Sequence, residues 1–359
     1  MDIALFPSYF ILLVILTIFF SVIIDFIIGD PHLKYHPVNI IGNVINWLKL
    51  RLKCDKRILD KIFGVFLLVF AFLIFCIPLF LVQVFIWWIW KIWDSSSLNN
   101  INFLDILLIS FIFGFILKWS FAIKNLGDTT IPIGEHLKHG DIEKAKKELS
   151  FIVRRDTETL DNSHIISAAV EVIAESSTDA VTSVFWFFLI GNLLGASFFT
   201  YIHHHVFWLF LGIPSAYIFR IINTADSIVG YKDSENIDIG WFSARMDDLS
   251  NFFPTRLTVL LLLLAGKILK KDVKNAWKIL KSDKNHTESV NGGWTMGTMA
   301  GLLNVQLEKI GSYKLGISNK TLRPEDIRTT FRIVRLAALL FIVILSIIII
   351  LIMFLIFTF

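Results

Sequence analysis

Residues 62–90 run for twenty-nine positions without one charged side chain. A helix crosses a hydrocarbon core with about 20 apolar residues, and this stretch is long enough to do so. Four further runs are long enough or nearly so, at residues 9–28, 103–121, 181–201 and 336–359. A sixth, at 206–222, is shorter and carries Gly212 and Pro214. Only ten residues separate Arg256 from Lys267, which suits a re-entrant or interfacial segment better than a span. Composition points the same way, since 55% hydrophobic residues and a mean hydropathy of +0.68 are too apolar for a water-soluble globule of 359 residues. The first run lacks a basic leader and is followed by Asp30 and Pro31 rather than a small-residue cleavage site, so it is expected to stay as a helix.

Lysine and arginine give an expected orientation. Seven fall in residues 29–61, eight in 118–155, four in 220–256 and fourteen in 267–335, leaving Lys91 alone. With six crossings these four groups share one side, expected to be the cytoplasm. The other side receives the loop of residues 91–102, a tight connection near His203, His204 and His205, and an aromatic belt of Trp87, Trp88, Trp90 and Trp93. The expected fold is an all-α polytopic membrane protein with about five to six transmembrane helices and two large cytoplasmic inserts. It forms a single membrane-embedded domain over residues 1–359, with cytoplasmic segments at about 29–61, 122–180 and 223–335. Cys54 and Cys76 lie in different settings and form no metal-ligand pattern. The net charge of +4 fits attraction of the inner loops to anionic lipid and implies no nucleic-acid partner.

The first insert offers Asp141 as an N-cap to an amphipathic helix with Ile142, Ala145, Leu149 and Ile152 on its apolar face. The second is expected to form short helices near 273–280 and 298–307, with Pro324 opening a further one.

Several polar groups stand out against this background. Glu171, Glu175 and Asp179 are spaced i, i+4, i+8, which lines three carboxylates along one helix stripe. Like charges at that spacing call for a cation opposite: a metal ion, Arg155 or another arginine, or an amine substrate. A solvated acidic face is the plainer alternative. Arg220, Asn223 and Asp226 recur every three residues ahead of Gly230, which suits a helix C-cap. Residues 240–256 are the densest cluster, with Arg245, Asp247, Asp248, Asn251 and Arg256, and with Pro254 expected to redirect the chain. Adjacent carboxylates and an amide oxygen are hard ligands suited to Mg²⁺, which keeps water and substrate phosphate in its shell, and the arginines suit a phosphate. Asn291, Gly292 and Gly293 suggest an irregular backbone whose N–H groups face an anion, and Trp294 offers a cover for a flat ligand or an interfacial anchor. Asp30, His32 and His36 leave the first span in an extended, proline-flanked loop.

The order of these motifs closely resembles the adenosylcobinamide-phosphate synthase family of cobalamin biosynthesis. The resemblance runs from about residue 22 to residue 316. It rests on Gly29-Asp30-Pro31 with His36-Pro37-Val38, Arg155-Asp156-Thr157, the 171–179 carboxylates and the segment from Asn223 to Tyr231. It continues through Ala244 to Asn251 with Pro254-Thr255-Arg256, and Asn291-Gly292-Gly293-Trp294. The family usually has Asn where Ser176 stands, Gly where Ala180 stands, Pro where Ser183 stands, and Pro-Glu where Thr295-Met296 stands.

The resemblance implies an ATP-dependent ligase that joins (R)-1-aminopropan-2-ol, or its phosphate, to a propionate of adenosylcobyric acid, in a lipid bilayer and in contact with other corrinoid-assembly enzymes. ATP and Mg²⁺ are the expected co-substrate and cofactor. Asp247, Asp248 and Asp226 would hold the metal, and Arg245 and Arg256 would neutralise charge on the transferring phosphoryl group. Glu171, Glu175 or Asp179 would bind the amine and take its proton, and Arg155 would bind the phosphate of the aminopropanol. Asp156, Arg220, Asn223, Asn291, Trp294, Asp30 and His36 complete the expected substrate contacts. Two rivals use the same residues: an Mg²⁺-dependent membrane phosphotransferase or prenyltransferase, which needs a lipid substrate, and a transporter, which would place its ionisable groups near the bilayer midplane.

Overall fold

The structure, a computed structural model, describes residues 6–30, 36–93, 102–201, 210–231 and 233–358. His32, the histidines at 203–205 and most of the loop at 91–102 lie outside the described residues, as do the side chains of Trp90 and Trp93. In chain order come α1 (Phe6–Ile28), α2 (Pro37–Leu52), α3 (Arg57–Trp93), α4 (Phe103–Lys118), α5 (Lys124–Lys138), α6 (Ile142–Ser150) and α7 (Asn162–Ser177). A π-helical turn, Thr178–Thr182, leads into α8 (Ser183–Tyr201), followed by α9 (Gly212–Val229), α10 (Trp241–Ile268), α11 (Val273–Asp283) and α12 (Gly292–Leu303). The antiparallel pair β1 (Gln306–Lys309) and β2 (Tyr313–Gly316) precedes α13 (Pro324–Thr358).

Among the described residues, five helical stretches are long and apolar enough to cross a membrane: Ser8–Ile28, Arg57–Ile89, Asn162–Thr200, Trp241–Ile268 and Pro324–Phe357. The chain is therefore a helical, multi-pass membrane protein. Four of the five overlap runs expected from the sequence, and Trp241–Ile268 differs from expectation. The residues after Arg256 do not form a separate re-entrant piece. Pro254 does not redirect the chain but sits inside the continuous twenty-eight-residue helix α10. A proline in a helix interior removes one backbone hydrogen bond and costs about 3 kcal/mol, and burial of Val259, Leu261, Leu262, Leu263 and Ala265 beyond it offsets that loss. The stretch at 103–121 yields only the sixteen-residue α4, shorter than a span needs. The 206–222 stretch yields α9, which starts at Gly212 and runs on to Val229.

The described chain forms two compact units. The first comprises Met1–Phe121, Val184–Leu249 and Ile342–Phe359. Within it α1 packs on α4, where Gly114 lets the backbones meet: a methyl group there would lie 2.8 Å from Phe20 Cβ and 3.0 Å from the Thr17 carbonyl oxygen. Helix α2 buries Ile41, Ile45 and Leu48 on the side that meets α3 and α9. Gly64 of α3 lies directly against the Ile239 carbonyl. Gly230 does close α9, as expected, but with φ −72°. It is glycine because the Asp226 carboxylate folds over it, and not because the turn is left-handed.

The second unit comprises Ala122–Ser183 and Ser250–Phe341. Its short helices begin on side-chain caps. Asp141 accepts from Lys144 N at 3.2 Å to start α6, Asp161 from His164 N at 2.9 Å to start α7, and Asp272 from Asn275 N at 2.9 Å to start α11. The α6 face carries buried Ala145 and Leu149 as its periodicity predicts. Helix α12 stops at Leu303, short of the expected residue 307, because Asn304 takes a left-handed conformation (φ 58°). The hairpin follows, with Gln306 opposite Gly316 and Lys309 opposite Tyr313. At the π-helical turn the Ala180 carbonyl accepts from Ala122 N at 3.1 Å, a use for a carbonyl released from the α-helical pattern.

Gly64→Ala places a methyl group into the Ile239 carbonyl. We expect this substitution to cost about 1–3 kcal/mol, read as a lower melting temperature of the protein in detergent, while Gly297→Ala, where the nearest atom lies 4.0 Å from the new methyl position, shifts it less.

Candidate functional site

In the second unit Arg155 and the carboxylate stripe of α7 meet at Glu171. Its side chain is 2% exposed, and an ionised carboxylate at that depth needs several donors. It has them: Arg155 Nη2 forms an ion pair with Oε2, Ser167 Oγ donates to Oε1 at 2.6 Å and Tyr313 Oη donates to Oε2 at 2.9 Å. Ser167 Oγ in turn accepts from Glu308 N at 2.8 Å, so this one carboxylate links the loop after α6, helix α7 and the hairpin. Burial, and then the charge of Glu171, raises the Tyr313 phenol above its ordinary range. It therefore stays a donor.

Around this knot opens a cleft of about 360 Å³, lined by Arg154, Arg155, Lys309, Glu171, Glu175 and Tyr313 together with Ile152, Val153 and Val172. The cation expected opposite the carboxylate stripe is thus Arg155. Glu175, one turn beyond Glu171 on α7, is exposed, and Gly292 allows it close approach, since a methyl group there would lie 3.1 Å from Glu175 Oε1. Asp179 falls in the π-helical turn and is absent from the cleft wall. Asp156 is exposed and accepts from Glu158 N at 3.0 Å, which makes it a turn-former.

Elsewhere in the second unit Arg256 donates to Asn291 Oδ1 at 2.6 Å and to the Phe252 carbonyl at 2.8 Å. Its guanidinium lies 3.8 Å from the Phe252 ring centre and 4.4 Å from that of Trp294, while Lys284 Nζ lies 4.6 Å from the Trp294 ring. Trp294 is a platform for cations. The expected anion-facing loop at 291–293 is not open: Asn291 N and Gly292 N both donate to Ser289 Oγ, at 3.2 and 3.1 Å. The two glycines instead start α12, where a side chain at Gly293 would collide with the Lys284 carbonyl. Asn251 is buried and its Oδ1 accepts from Ser183 Oγ at 2.5 Å, so the serine that replaces the family's usual proline holds this amide.

The first unit carries the other motifs. Arg220 on α9 donates from Nε and Nη2 to the Ser120 carbonyl, at 2.7 and 2.5 Å, and lies 3.4 Å from Asn223 Oδ1. Asn223 Nδ2 then donates to Asp247 Oδ1 at 3.3 Å. Asp248 follows half-buried, but successive helical residues diverge by about 100°, so adjacent carboxylates on α10 do not face one ligand together. Arg245 is exposed on the same helix. Asp226 bends over Gly230. Among the described residues no three His, Cys, Asp or Glu side chains gather into a metal cage. The donor set fits the kind of Mg²⁺ site that takes one or two carboxylates and fills its shell with water and substrate phosphate, with Asp247 oriented by Asn223.

Asp30 pairs with Lys118, a lysine with no exposed surface, whose Nζ is also 3.7 Å from the equally buried Asp25. His36 caps α2 by accepting from Val38 N at Nδ1, 3.2 Å away. That leaves its proton on Nε2, 3.6 Å from Asp30 and without a hydrogen-bond partner among the described residues. Burial, and then the charge of Arg220, keeps this imidazole below its ordinary range. The sequence reading missed Lys118, Asp25, Ser167, Tyr313 and Lys309. Lys118 resembled an ordinary basic flank at the end of an apolar run, and the three from the second unit become visible only once the hairpin and α7 are in place.

Comparison with known proteins agrees with these motifs. Residues 18–337 match the model of the CobD/Cbib protein family. The chain is similar to the probable cobalamin biosynthesis protein CobD of Methanothermobacter thermautotrophicus, 34% identical over 89% of this chain and 93% of that one. It is also similar to the protein of the same name in Thermoplasma acidophilum, 36% identical over 82% of this chain and 83% of that one. Cobalamin biosynthesis protein CobD of Dehalococcoides mccartyi is 30% identical over 92% of this chain and 96% of that one. No solved structure matches.

Glu171→Leu leaves the Arg155 charge, Tyr313 and Ser167 without their shared acceptor. We expect it to destabilise the protein by about 3–5 kcal/mol, against about 1 kcal/mol for Tyr313→Phe. Thermal melts of both variants check this, and equal shifts would show that the carboxylate is not the hub.

Proposed function

Because this chain belongs to the CobD/Cbib protein family and its role lies in cobalamin biosynthesis, we propose that it is the ligase that joins aminopropanol, or aminopropanol phosphate, to a propionate carboxylate of adenosylcobyric acid. The observation that carries this reading is the polarity of the cleft in the second unit. Arg154, Arg155 and Lys309 supply cations, and Glu171 and Glu175 supply carboxylates. A short molecule with an ammonium group at one end and a phosphate at the other matches such a wall.

The residues divide this work unequally. Glu171 already accepts from three donors, so it is a positioning residue that fixes the Arg155 guanidinium. The remaining N–H groups of Arg155 are directed to the phosphate of the amine substrate. Glu175, exposed at the cleft, binds the ammonium and takes its proton, which frees the nitrogen lone pair for attack.

A carboxylate does not condense with an amine unless it is activated. The corrinoid carboxylate attacks the γ-phosphorus of ATP, releasing ADP, and the amine then displaces phosphate from the resulting acyl phosphate, with the second proton of the nitrogen leaving on that phosphate. Asp247, oriented by Asn223, would hold Mg²⁺ with water and substrate phosphate filling the rest of its shell, and the ion when bound offsets phosphate charge. Arg245, on the same helix as Asp247, is assigned to the negative charge of the transferring group. Asp30, His36, Arg220 and Asn223 are assigned to the corrinoid side, where Asn223 orients Asp247.

In purified membranes supplied with adenosylcobyric acid, ATP and Mg²⁺, the expected products are one amide and one ADP per turnover, with either free or phosphorylated aminopropanol as the amine. Glu175→Gln should lower the rate by about 10²–10⁴, and Asp247→Ala should abolish the Mg²⁺ dependence together with the activity. Unchanged rates in Glu175→Gln would overturn the base assignment. Amide formation without ATP consumption would overturn the activation scheme.

A further inference from the structure

We propose that α11 is a lipid-docking helix whose basic face binds anionic headgroups at the bilayer surface. Seven lysines fall within residues 267–284, while the two acidic residues there are occupied, Asp272 in capping α11 and Asp283 in accepting from Gly316 N at 2.6 Å. Four residues separate the end of α10 from the start of α11. Their path is fixed, since Lys270 is left-handed (φ 55°) and Lys271 N closes back on the Gly266 carbonyl at 2.8 Å. Helix α10 is one of the five helices fit to cross a membrane, so α11 is held within one turn of a span's end.

The two sides of α11 differ as a surface helix requires. Ala276, Ile279 and Leu280 are buried on the side that meets α12. Lys274, Trp277, Lys278 and Lys281 are exposed at i, i+3, i+4 and i+7, and the Lys281 ammonium lies 5.3 Å from the Trp277 ring centre. No acidic side chain lies within 4 Å of these three lysine ammonium groups among the described residues. Tryptophan favours the headgroup level of a bilayer. Ile268 and Leu269, 53% and 38% exposed, add apolar contact beside the lysines, which a lipid surface accepts and a soluble polyanion does not. Each lysine near an anionic surface shifts docking about fivefold. This inference rests on the spanning helix and is independent of the ligase reading.

The test is hydrogen exchange of the backbone amides of α11 in the full chain, held in nanodiscs of phosphatidylcholine alone or of an equal mixture with phosphatidylglycerol. The expected result is exchange slower by about fivefold or more in the anionic discs, reversed by high salt and absent from Lys274→Gln/Lys278→Gln/Lys281→Gln, whose substituted side chains are exposed and leave the fold intact. Equal exchange in the two discs, or protection that persists in the triple variant, overturns the proposal. Equal protection by inorganic phosphate in phosphatidylcholine discs also overturns it, since the occupant would then be a soluble anion.

Discussion

A carboxylate buried as deeply as Glu171 needs donors that hold still, and two of its three come from distant parts of the sequence. Arg155 stands in the loop after α6, Ser167 one turn earlier on α7, and Tyr313 on the second strand of the hairpin. The desolvation cost of the charge is offset only when all are present. The pair thereby fixes Arg155 at the mouth of the cleft and leaves Glu175, one turn on and exposed, to face a substrate. In the proposed mechanism one glutamate builds the wall and the next takes the proton of the amine.

The first unit uses the same logic in an apolar setting. Lys118 is fully buried between Asp25 and Asp30, and a lone charge there would cost several kcal/mol. Asp30 is thereby held beside His36 at the start of α2. Arg220 spends two donors on the Ser120 carbonyl, two residues after Lys118, and its helix presents Asn223 to Asp247. Arg220, Asn223 and Asp247 thus form a hydrogen-bonded chain rather than a set of isolated charges.

Much of this was legible in the sequence, and the gaps have physical causes. The long apolar runs foretold four of the five helices fit to span, because hydropathy over about 20 residues outweighs every local preference. Helix α10 was misread because Pro254 and the charges of Arg245 to Arg256 look like a break, whereas burial of the leucines beyond them sustains the helix. Caps such as Asp141 and Pro324 were local and so readable. The carboxylate spacing on α7 signalled a cation opposite, and Arg155 answered it. The partners Tyr313 and Lys309 were invisible because they arrive through a hairpin formed after the left-handed Asn304, far away in sequence.

The most direct measurement of the central claim is growth. A strain lacking its own synthase, able to use cobinamide but not cobyric acid, should grow on cobyric acid when it expresses this chain. The same strain expressing Glu175→Gln should not. Failure of the wild-type chain to restore growth while it is present and folded in the membrane would contradict the account.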